Sequence, residues 1–166
     1  MAAELALEVL GRLPVPLARL AHRAAYRLAR AWWFVARPRV VGVKFALRDG
    51  DRVLLVRHAY GDRRTWEVPG GHARPGEEPA LAARREAREE LGVDLEDWQA
   101  VGVLRARTDR KRETIHVFVA RRSPTAGLRL ARAELEEARW VCEATPPQPL
   151  GQVSARALAL LAGSGR

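Results

Sequence analysis

Hydrophobic residues recur along the first 38 positions of the chain with the spacing of an amphipathic helix. The pattern predicts one helix from about Pro16 to Val35, which ends before Pro38 because proline cannot continue a helix. Its apolar stripe comprises Leu17, Leu20, Ala24, Leu28, Ala31 and Val35. A shorter helix is predicted from Ala2 to Leu10, where Gly11 and Pro14 follow. The chain therefore begins with amphipathic helices.

After residue 38 short apolar runs alternate with turn signals, which is typical of strands. Strands are predicted at Arg39–Leu47, Arg52–His58, Trp98–Arg107, Glu113–Arg121 and Ala138–Cys142. Turns are predicted at Asp49-Gly50-Asp51 and at Asp109 to Arg112, and helices at residues 78–91 and from a cap at Ser154 to Leu161. This mixture predicts an α/β or α+β fold. We therefore expect a helical extension over residues 1–38 and one domain over residues 39–166.

The charge of the chain is strongly positive and comes from arginine. The formal net charge is +9, and Lys44 and Lys111 are the only lysines among 29 basic residues. Arginine grips phosphate with a planar fork, so the charge indicates phosphorylated or polyanionic partners, although genome composition also explains such a bias. Residues 1–38 carry six arginines against two glutamates. This segment is expected to pack on the domain, form a homodimer, or contact an anionic membrane or nucleic acid.

Cysteine and histidine exclude several kinds of site. The single cysteine, Cys142, excludes an intrachain disulfide and a cysteine-based zinc cluster. The four histidines show no metal-ligand spacing. Neither a signal peptide nor a run of about 18 uncharged apolar residues is found, so a cytoplasmic location is expected.

Three glutamates on the predicted helix at residues 78–91 indicate a metal site. Glu86, Glu89 and Glu90 lie three and four positions apart, so their side chains project toward overlapping sectors. Like charges at this spacing cost a few tenths of a kcal/mol per pair. A divalent cation between them would remove the repulsion, and oxygen ligands favour Mg²⁺ or Mn²⁺ over zinc. From the helix alone, a solvated face with arginine partners is the favoured interpretation.

A glycine loop before this helix favours the metal site over the solvated face. Gly70-Gly71 permits backbone angles closed to other residues and allows a ligand to approach the main chain closely. Pro69 fixes the chain that enters the loop, and Pro75-Gly76 forms a second turn before Glu77. A loop of this kind beside clustered carboxylates indicates phosphate chemistry with a cation.

The spacing of the loop and helix resembles the Nudix box, Gx5Ex7REUxEExGU, of the Nudix (MutT-like) hydrolases. The matching residues are Gly71, Glu77, Arg85, Glu86, Glu89, Glu90, Gly92 and Val93, over 23 positions. One position departs from the pattern, because Ala87 stands where Ile, Leu or Val is usual. The lead-in from Trp66 to Gly71 is also similar to the family, and the resemblance covers about residues 39–162.

The resemblance implies an α/β/α sandwich with a mixed sheet and a role for each matched residue. Glu86, Glu89 and Glu90, with the Gly70 carbonyl, match the ligands of Mg²⁺ or Mn²⁺, and Glu86 or Glu89 matches the general base. Gly71, Glu77, Arg85 and Gly92 match structural positions of the box. The implied reaction is attack of water at phosphorus, which splits a nucleoside diphosphate linked to another moiety X into a nucleotide and phosphorylated X.

Residues outside the box are candidates for completing the site. Family members recruit a further acid from a downstream loop, and Glu134, Glu136 and Glu137 occupy such a segment here. Arg57 matches a position that touches phosphate in some members. Two other functions stay open, a basic Nudix-fold binding module and an RNA 5′-end pyrophosphohydrolase that uses the arginine-rich surface.

Overall fold

The computed structural model describes residues 14–108, 110–121 and 127–164. Helix α1 spans Val15–Ala36, α2 spans Pro79–Leu91 and α3 spans Gln152–Ser164. The strands are β1 Arg39–Asp49, β2 Arg52–His58, β3 Gln99–Thr108, β4 Lys111–Arg121 and β5 Leu135–Cys142. The predicted helix from Ala2 to Leu10, and Asp109 of the predicted turn, lie outside the described residues.

The five strands form one mixed sheet in the order β3-β4-β1-β2-β5. The long strand β1 pairs with β4 in parallel, whereas the other neighbours are antiparallel. On its other edge β1 pairs with β2 only at Arg48 and Asp49. Nearer its start this edge pairs with the glycine loop, because Val43 N–H donates to the Gly71 carbonyl at 2.9 Å and Phe45 N–H to the Pro69 carbonyl at 3.0 Å. The loop is therefore held against the centre of the sheet.

Apolar side chains of each strand point alternately to the two faces of the sheet, so a hydrophobic core forms on each face. Phe45, Leu54 and Phe118 face α2, and Ala46, Leu55 and Val117 face α3. The small side chains of Ala83 and Ala87 are fully buried and let α2 lie close to the sheet. The predicted α/β/α sandwich is confirmed.

Three predicted boundaries were wrong in detail. Strand β5 begins at Leu135 rather than at Ala138, because Leu135 is fully buried and pairs with His58. Strands β3 and β4 pair up to Thr108 and Lys111, so their turn is shorter than predicted. Ser154 does not cap α3, which begins two residues earlier; its buried hydroxyl accepts a hydrogen bond from Val68 N–H at 2.9 Å.

Helix α1 packs on the domain through the side opposite to its apolar stripe. Leu20 and Leu28 of the stripe are 63% and 73% exposed, whereas Ala18, on the other side of the helix, is 2% exposed. The inner side carries polar anchors: Arg19 donates to the Arg132 carbonyl at 3.0 Å and Arg23 to the Ala59 carbonyl at 3.1 Å. No described helix combines the length and the apolar character that crossing a bilayer requires.

Candidate active site

Helix α2 holds its three clustered glutamates at different depths. Glu90 is 4% exposed, the Glu86 side chain is 15% exposed and the Glu89 side chain is 46% exposed. This gradient arises because Ala83, Ala87 and Leu91 turn one side of α2 into the core, which leaves Glu90 nearest to the sheet. The left-handed backbone of Gly92, with φ of 67°, then ends the helix.

The glycine loop lies directly against these carboxylates. Gly70 N–H donates a hydrogen bond to the Glu90 carboxylate. A Cβ at Gly71 would collide with the carboxylate of Glu86, and a Cβ at Gly70 would collide with the Val43 carbonyl oxygen. Gly70 also has φ of 149°, which favours glycine. Gly70 is therefore required for the loop to lie against β1, whereas a side chain at Gly71 would displace the Glu86 carboxylate.

Arg85 joins the loop to the helix. Its Nε donates to Glu77 Oε1 at 2.9 Å and its Nη2 to the His72 carbonyl at 3.0 Å. Hydrogen bonds from Arg85 lower the pKa of Glu77 to about 2. The same guanidinium places Nη1 2.9 Å from Glu86 Oε1 and 3.0 Å from Glu89 Oε2. One arginine thus organises the loop and two of the carboxylates.

Negative charge in the site is only partly compensated. Burial raises the pKa of Glu86, and burial raises that of Glu90 well above its ordinary value, with the charge of Glu86 adding to the rise. Glu90 Oε2 is buried and has no hydrogen-bond partner among the described atoms. A buried carboxylate oxygen without a partner is costly, so the site favours a cation.

The donor set fits a hard divalent cation, although the side chains do not enclose one. Among the described residues, no group of three or more acidic, histidine or cysteine side chains is arranged around a common metal position. Arg85 explains this arrangement, because its guanidinium draws Glu86 and Glu89 toward itself. The unpartnered Glu90 oxygen and the adjoining glycine backbone supply the oxygen ligands that Mg²⁺ and Mn²⁺ prefer.

The three downstream acids are placed differently from one another. The charge of Glu134 adds to the rise in the pKa of both Glu86 and Glu90, and its Oε1 lies 3.3 Å from His22 Nε2. Glu136 pairs instead with Arg63 at 2.7 Å, and Glu137 pairs with two arginines at 2.6 Å. Only Glu134, of these three, is positioned to add to the site.

Arg57 does not line the cleft beside the glycine loop. Its Nη2 lies 2.6 Å from Glu137 Oε2, and its guanidinium lies over the Trp66 ring. The structure therefore gives Arg57 a carboxylate and an aromatic partner away from the box carboxylates.

Several residues near the carboxylates were missed from the sequence. Lys44 Nζ donates to Glu67 Oε2 at 2.9 Å and to the Val68 carbonyl at 2.7 Å. Tyr60 is held among the acids: burial raises its pKa, and the charges of Glu90 and Glu134 raise it further. A lysine within an otherwise apolar strand was an available signal for Lys44, whereas Tyr60 belongs to a loop without a motif.

Helix α1 also reaches the site. His22 Nε2 lies 3.3 Å from Glu134 Oε1, and the His22 ring stacks on Tyr60 with centroids 6.5 Å apart. Tyr26 packs on Tyr60 at 5.4 Å between centroids and borders the same cleft. The extension therefore contributes side chains to the surroundings of the candidate site.

The glycine loop borders an open cleft with a volume of about 1210 Å³, and Glu86, Glu89 and Glu90 are not part of its lining. Its lining includes Gly70, Gly71 and His72 on one side, and Gln152 and Arg156 of α3 on another. Arginines from β1, β3 and β4 complete the wall. A cleft with backbone loops, acids and arginines is suited to a phosphorylated ligand.

Two relatives match less than half of this chain. An ADP-ribose pyrophosphatase of Mycobacterium tuberculosis is 38% identical over 79 residues, which cover 45% of this chain and 38% of that protein. Diphosphoinositol polyphosphate phosphohydrolase 3-alpha of Mus musculus is 49% identical over 70 residues, or 42% of this chain and 41% of that protein. The chain thus spans about two fifths of the length of these curated relatives.

The fold has a solved counterpart over three quarters of the chain. A MutT NUDIX hydrolase from Burkholderia pseudomallei is 26% identical, with a TM-score of 0.68, and the match covers 75% of this chain and 98% of that one. The NUDIX domain family profile matches residues 36–161, which is well over half of the sequence. The chain therefore belongs to the Nudix hydrolase family.

Proposed function

We propose that this protein is a metal-dependent pyrophosphohydrolase that cleaves a nucleoside diphosphate linked to another moiety X. The observation that carries the proposal is the contact between the glycine loop and two buried carboxylates, Glu86 and Glu90. Their pKa values are raised by burial, and one Glu90 oxygen lacks a partner. Nothing in folding requires this arrangement, which a cation and a diphosphate would use.

Mg²⁺ or Mn²⁺ would be held by Glu86, Glu89 and Glu90 with the Gly70 carbonyl. When bound, such an ion lowers the pKa of water and neutralises charge on diphosphate oxygens. Binding the ion requires Arg85 to give up part of its contact with Glu86 and Glu89, while its hydrogen bonds to Glu77 and the His72 carbonyl keep it in place.

The chain itself supplies the base and the binding cleft. Glu86 or Glu89 accepts the proton of the attacking water, and a carboxylate whose pKa is raised by burial, as at Glu86, is better suited to that task. Glu134, whose charge adds to the raised pKa of Glu86 and Glu90, would be the downstream acid of the site. The split of substrate into nucleotide and phosphorylated X then follows from attack at either phosphorus of the diphosphate.

The substrate class rests on chemistry shared with relatives. The names of the two relatives describe cleavage of phosphoanhydride bonds in two compounds, one nucleotide-linked and one carried by an inositol ring. We propose the nucleotide-linked class for this chain. Residues 39–166 would form the hydrolase domain and residues 1–38 an extension to it; dimerisation, RNA contact and membrane contact through the extension stay predictions.

Hydrolysis of a panel of phosphoanhydrides tests the proposal. The full-length protein is incubated with Mg²⁺ or Mn²⁺ and nucleoside triphosphates, ADP-ribose, nucleotide sugars, dinucleoside polyphosphates or capped RNA, and the products are separated by chromatography. We expect a nucleotide and phosphorylated X from at least one diphosphate-linked compound. A folded protein that turns over none of them would contradict the proposal.

A further inference from the structure

Helix α1 carries most of the large apolar side chains that the fold leaves exposed. Ten large hydrophobic residues are exposed in the part of the chain that the structure describes, and seven of them lie on α1, so the exposed apolar surface is concentrated on one element. Every residue of the apolar stripe, from Leu17 to Val35, is exposed. At about 1.5 Å per residue, the stripe runs roughly 27 Å along the helix. A continuous apolar surface of this kind marks an interaction site.

Contacts at both ends of α1 keep the apolar stripe turned away from the domain. Arg19 donates to the Arg132 carbonyl near the start of the helix, and near its end the centroid of the Trp33 ring lies 4.0 Å from Lys111 Nζ. Tyr26, which borders the cleft, and Trp33 are each two positions away from a residue of the stripe, which is the opposite side of a helix with about 3.6 residues per turn. The cleft and the apolar stripe therefore lie on opposite sides of α1, and the described residues leave the stripe uncovered.

The charge of α1 distinguishes between the surfaces that could cover the apolar stripe. The helix contains four arginines and no acidic residue. Arg27 flanks the stripe beside Leu28, is exposed, and has no carboxylate within ion-pair distance among the described residues. Two copies that met through their stripes would bring together two helices of like charge with no acidic residue on either, which is unfavourable. An anionic surface supplies the missing negative charge, so charge favours such a surface over a second copy.

We propose that α1 docks on an anionic membrane surface through its apolar stripe and lies in the plane of the interface. An amphipathic helix of this kind binds where the lipid headgroups meet the acyl chains. Leu20 and Leu28 enter the acyl boundary, and Arg27 pairs with lipid phosphates. Trp32, exposed on the other flank of the stripe, lies at the level of the headgroups. RNA would contact the arginines and leave the leucines in water, so the stripe favours a membrane over RNA.

Co-sedimentation of the full-length protein with vesicles tests the apolar stripe. The vesicles contain phosphatidylcholine with or without phosphatidylglycerol, and no substrate is present, so the result does not depend on turnover. We expect the wild type to bind the vesicles that contain phosphatidylglycerol, and Leu28→Gln to lower its partition coefficient about tenfold, since a leucine no longer enters the interface. Leu81→Gln is the matched control, because Leu81 is an exposed leucine on α2. Equal partition coefficients for Leu28→Gln and the wild type, or an equal loss in the control, would overturn the proposal.

Removing one charge beside the stripe tests the contact with anionic lipid. Arg27→Gln is expected to lower the partition coefficient on vesicles with phosphatidylglycerol about fivefold and to leave it unchanged on phosphatidylcholine alone. Arg121→Gln removes the same charge at the end of β4 remote from Lys111, which contacts α1, and should leave binding close to that of the wild type. An equal loss in Arg27→Gln and Arg121→Gln would show attraction by net charge alone, and docking through α1 would be wrong.

The molar mass in solution tests the other occupants of the apolar stripe. Light scattering at increasing protein concentration, without vesicles, is expected to give a monomer for both the wild type and Leu28→Gln. A wild-type dimer that Leu28→Gln dissociates would assign the stripe to a second copy and overturn the proposal. A wild type that stays monomeric and binds no anionic vesicle would also overturn it, because the stripe would then be covered by another part of the chain. Binding of single-stranded RNA without any binding of anionic vesicles would assign the arginines to nucleic acid, with the same consequence.

Discussion

The Glu90 carboxylate is buried at the end of α2 that meets the glycine loop. One of its oxygens lacks a hydrogen-bond partner among the described atoms, and burial raises its pKa well above the ordinary value. The folded protein therefore holds a proton on Glu90 more tightly than the unfolded chain does. Its stability falls as pH rises above the unfolded pKa, because ionising the buried group costs free energy.

Replacing Glu90 by Gln should separate stability from function. Without added metal at pH 8, Glu90→Gln is expected to melt at the wild-type temperature or above it, since it removes an unfavourable buried charge. Hydrolysis should fall about a hundredfold or more, and the rise in melting temperature caused by Mn²⁺ should be lost. Glu78→Gln, an exposed change at the start of α2, is the control. A large loss of metal-free stability in Glu90→Gln would assign Glu90 to folding instead.

The ion pair between Glu77 and Arg85 has the opposite pH dependence. Hydrogen bonds from Arg85 lower the pKa of Glu77 to about 2, so the pair stabilises the fold fully above the unfolded pKa of 4.5 and loses its effect as pH falls toward 2. Glu77→Gln should lower the free energy of unfolding by about 1.5–3 kcal/mol at pH 6. Urea unfolding at pH 6 and pH 3 measures this, and an equal loss at both pH values would argue against the pair.

The helices show what the sequence could and could not predict at the scale of elements. Helix α2 was predicted almost to the residue, because the box ties its alanine side, its carboxylates and its glycine end to fixed positions. Helix α1 was predicted in extent but not in orientation. Its apolar stripe does not reveal that small and polar side chains, such as Ala18 and Arg23, make the contacts with the domain. The contacts of Arg19 and Arg23 are to main-chain carbonyls, which leave no pattern in sequence.

The orientation of α1 predicts a contrast between its two sides. Leu28→Gln, on the exposed stripe, is expected to change the free energy of unfolding by no more than about 0.5 kcal/mol. Ala18→Gln forces a larger polar side chain into the buried inner side and should cost about 1–3 kcal/mol. Urea unfolding measures the free energy of unfolding of the two variants and shows which side of α1 is packed. A Leu28→Gln variant as unstable as Ala18→Gln would show that the stripe is the packed side.

At the scale of the whole molecule, the net charge of +9 comes from arginines of two kinds, which differ in whether they have a carboxylate partner. Many arginines, such as Arg48 and Arg85, have carboxylate partners, whereas Arg39, Arg107 and Arg112 are exposed and have no carboxylate partner among the described residues. Composition could not separate these kinds, because the pairing depends on strand register. The same limit explains why the box glutamates were found in the sequence while Lys44 and Tyr60, brought in by other elements, were not.

Turnover as a function of metal concentration tests the central claim most directly. The phosphoanhydride hydrolysed best is assayed in EDTA and in increasing Mg²⁺ with the wild type, Glu86→Gln, Glu89→Gln, Glu90→Gln and the control Glu78→Gln. We expect turnover in the wild type and the control only with metal, and a loss of about a hundredfold or more in the three box variants. Turnover that persists in EDTA, or that survives in all three box variants, would contradict the account.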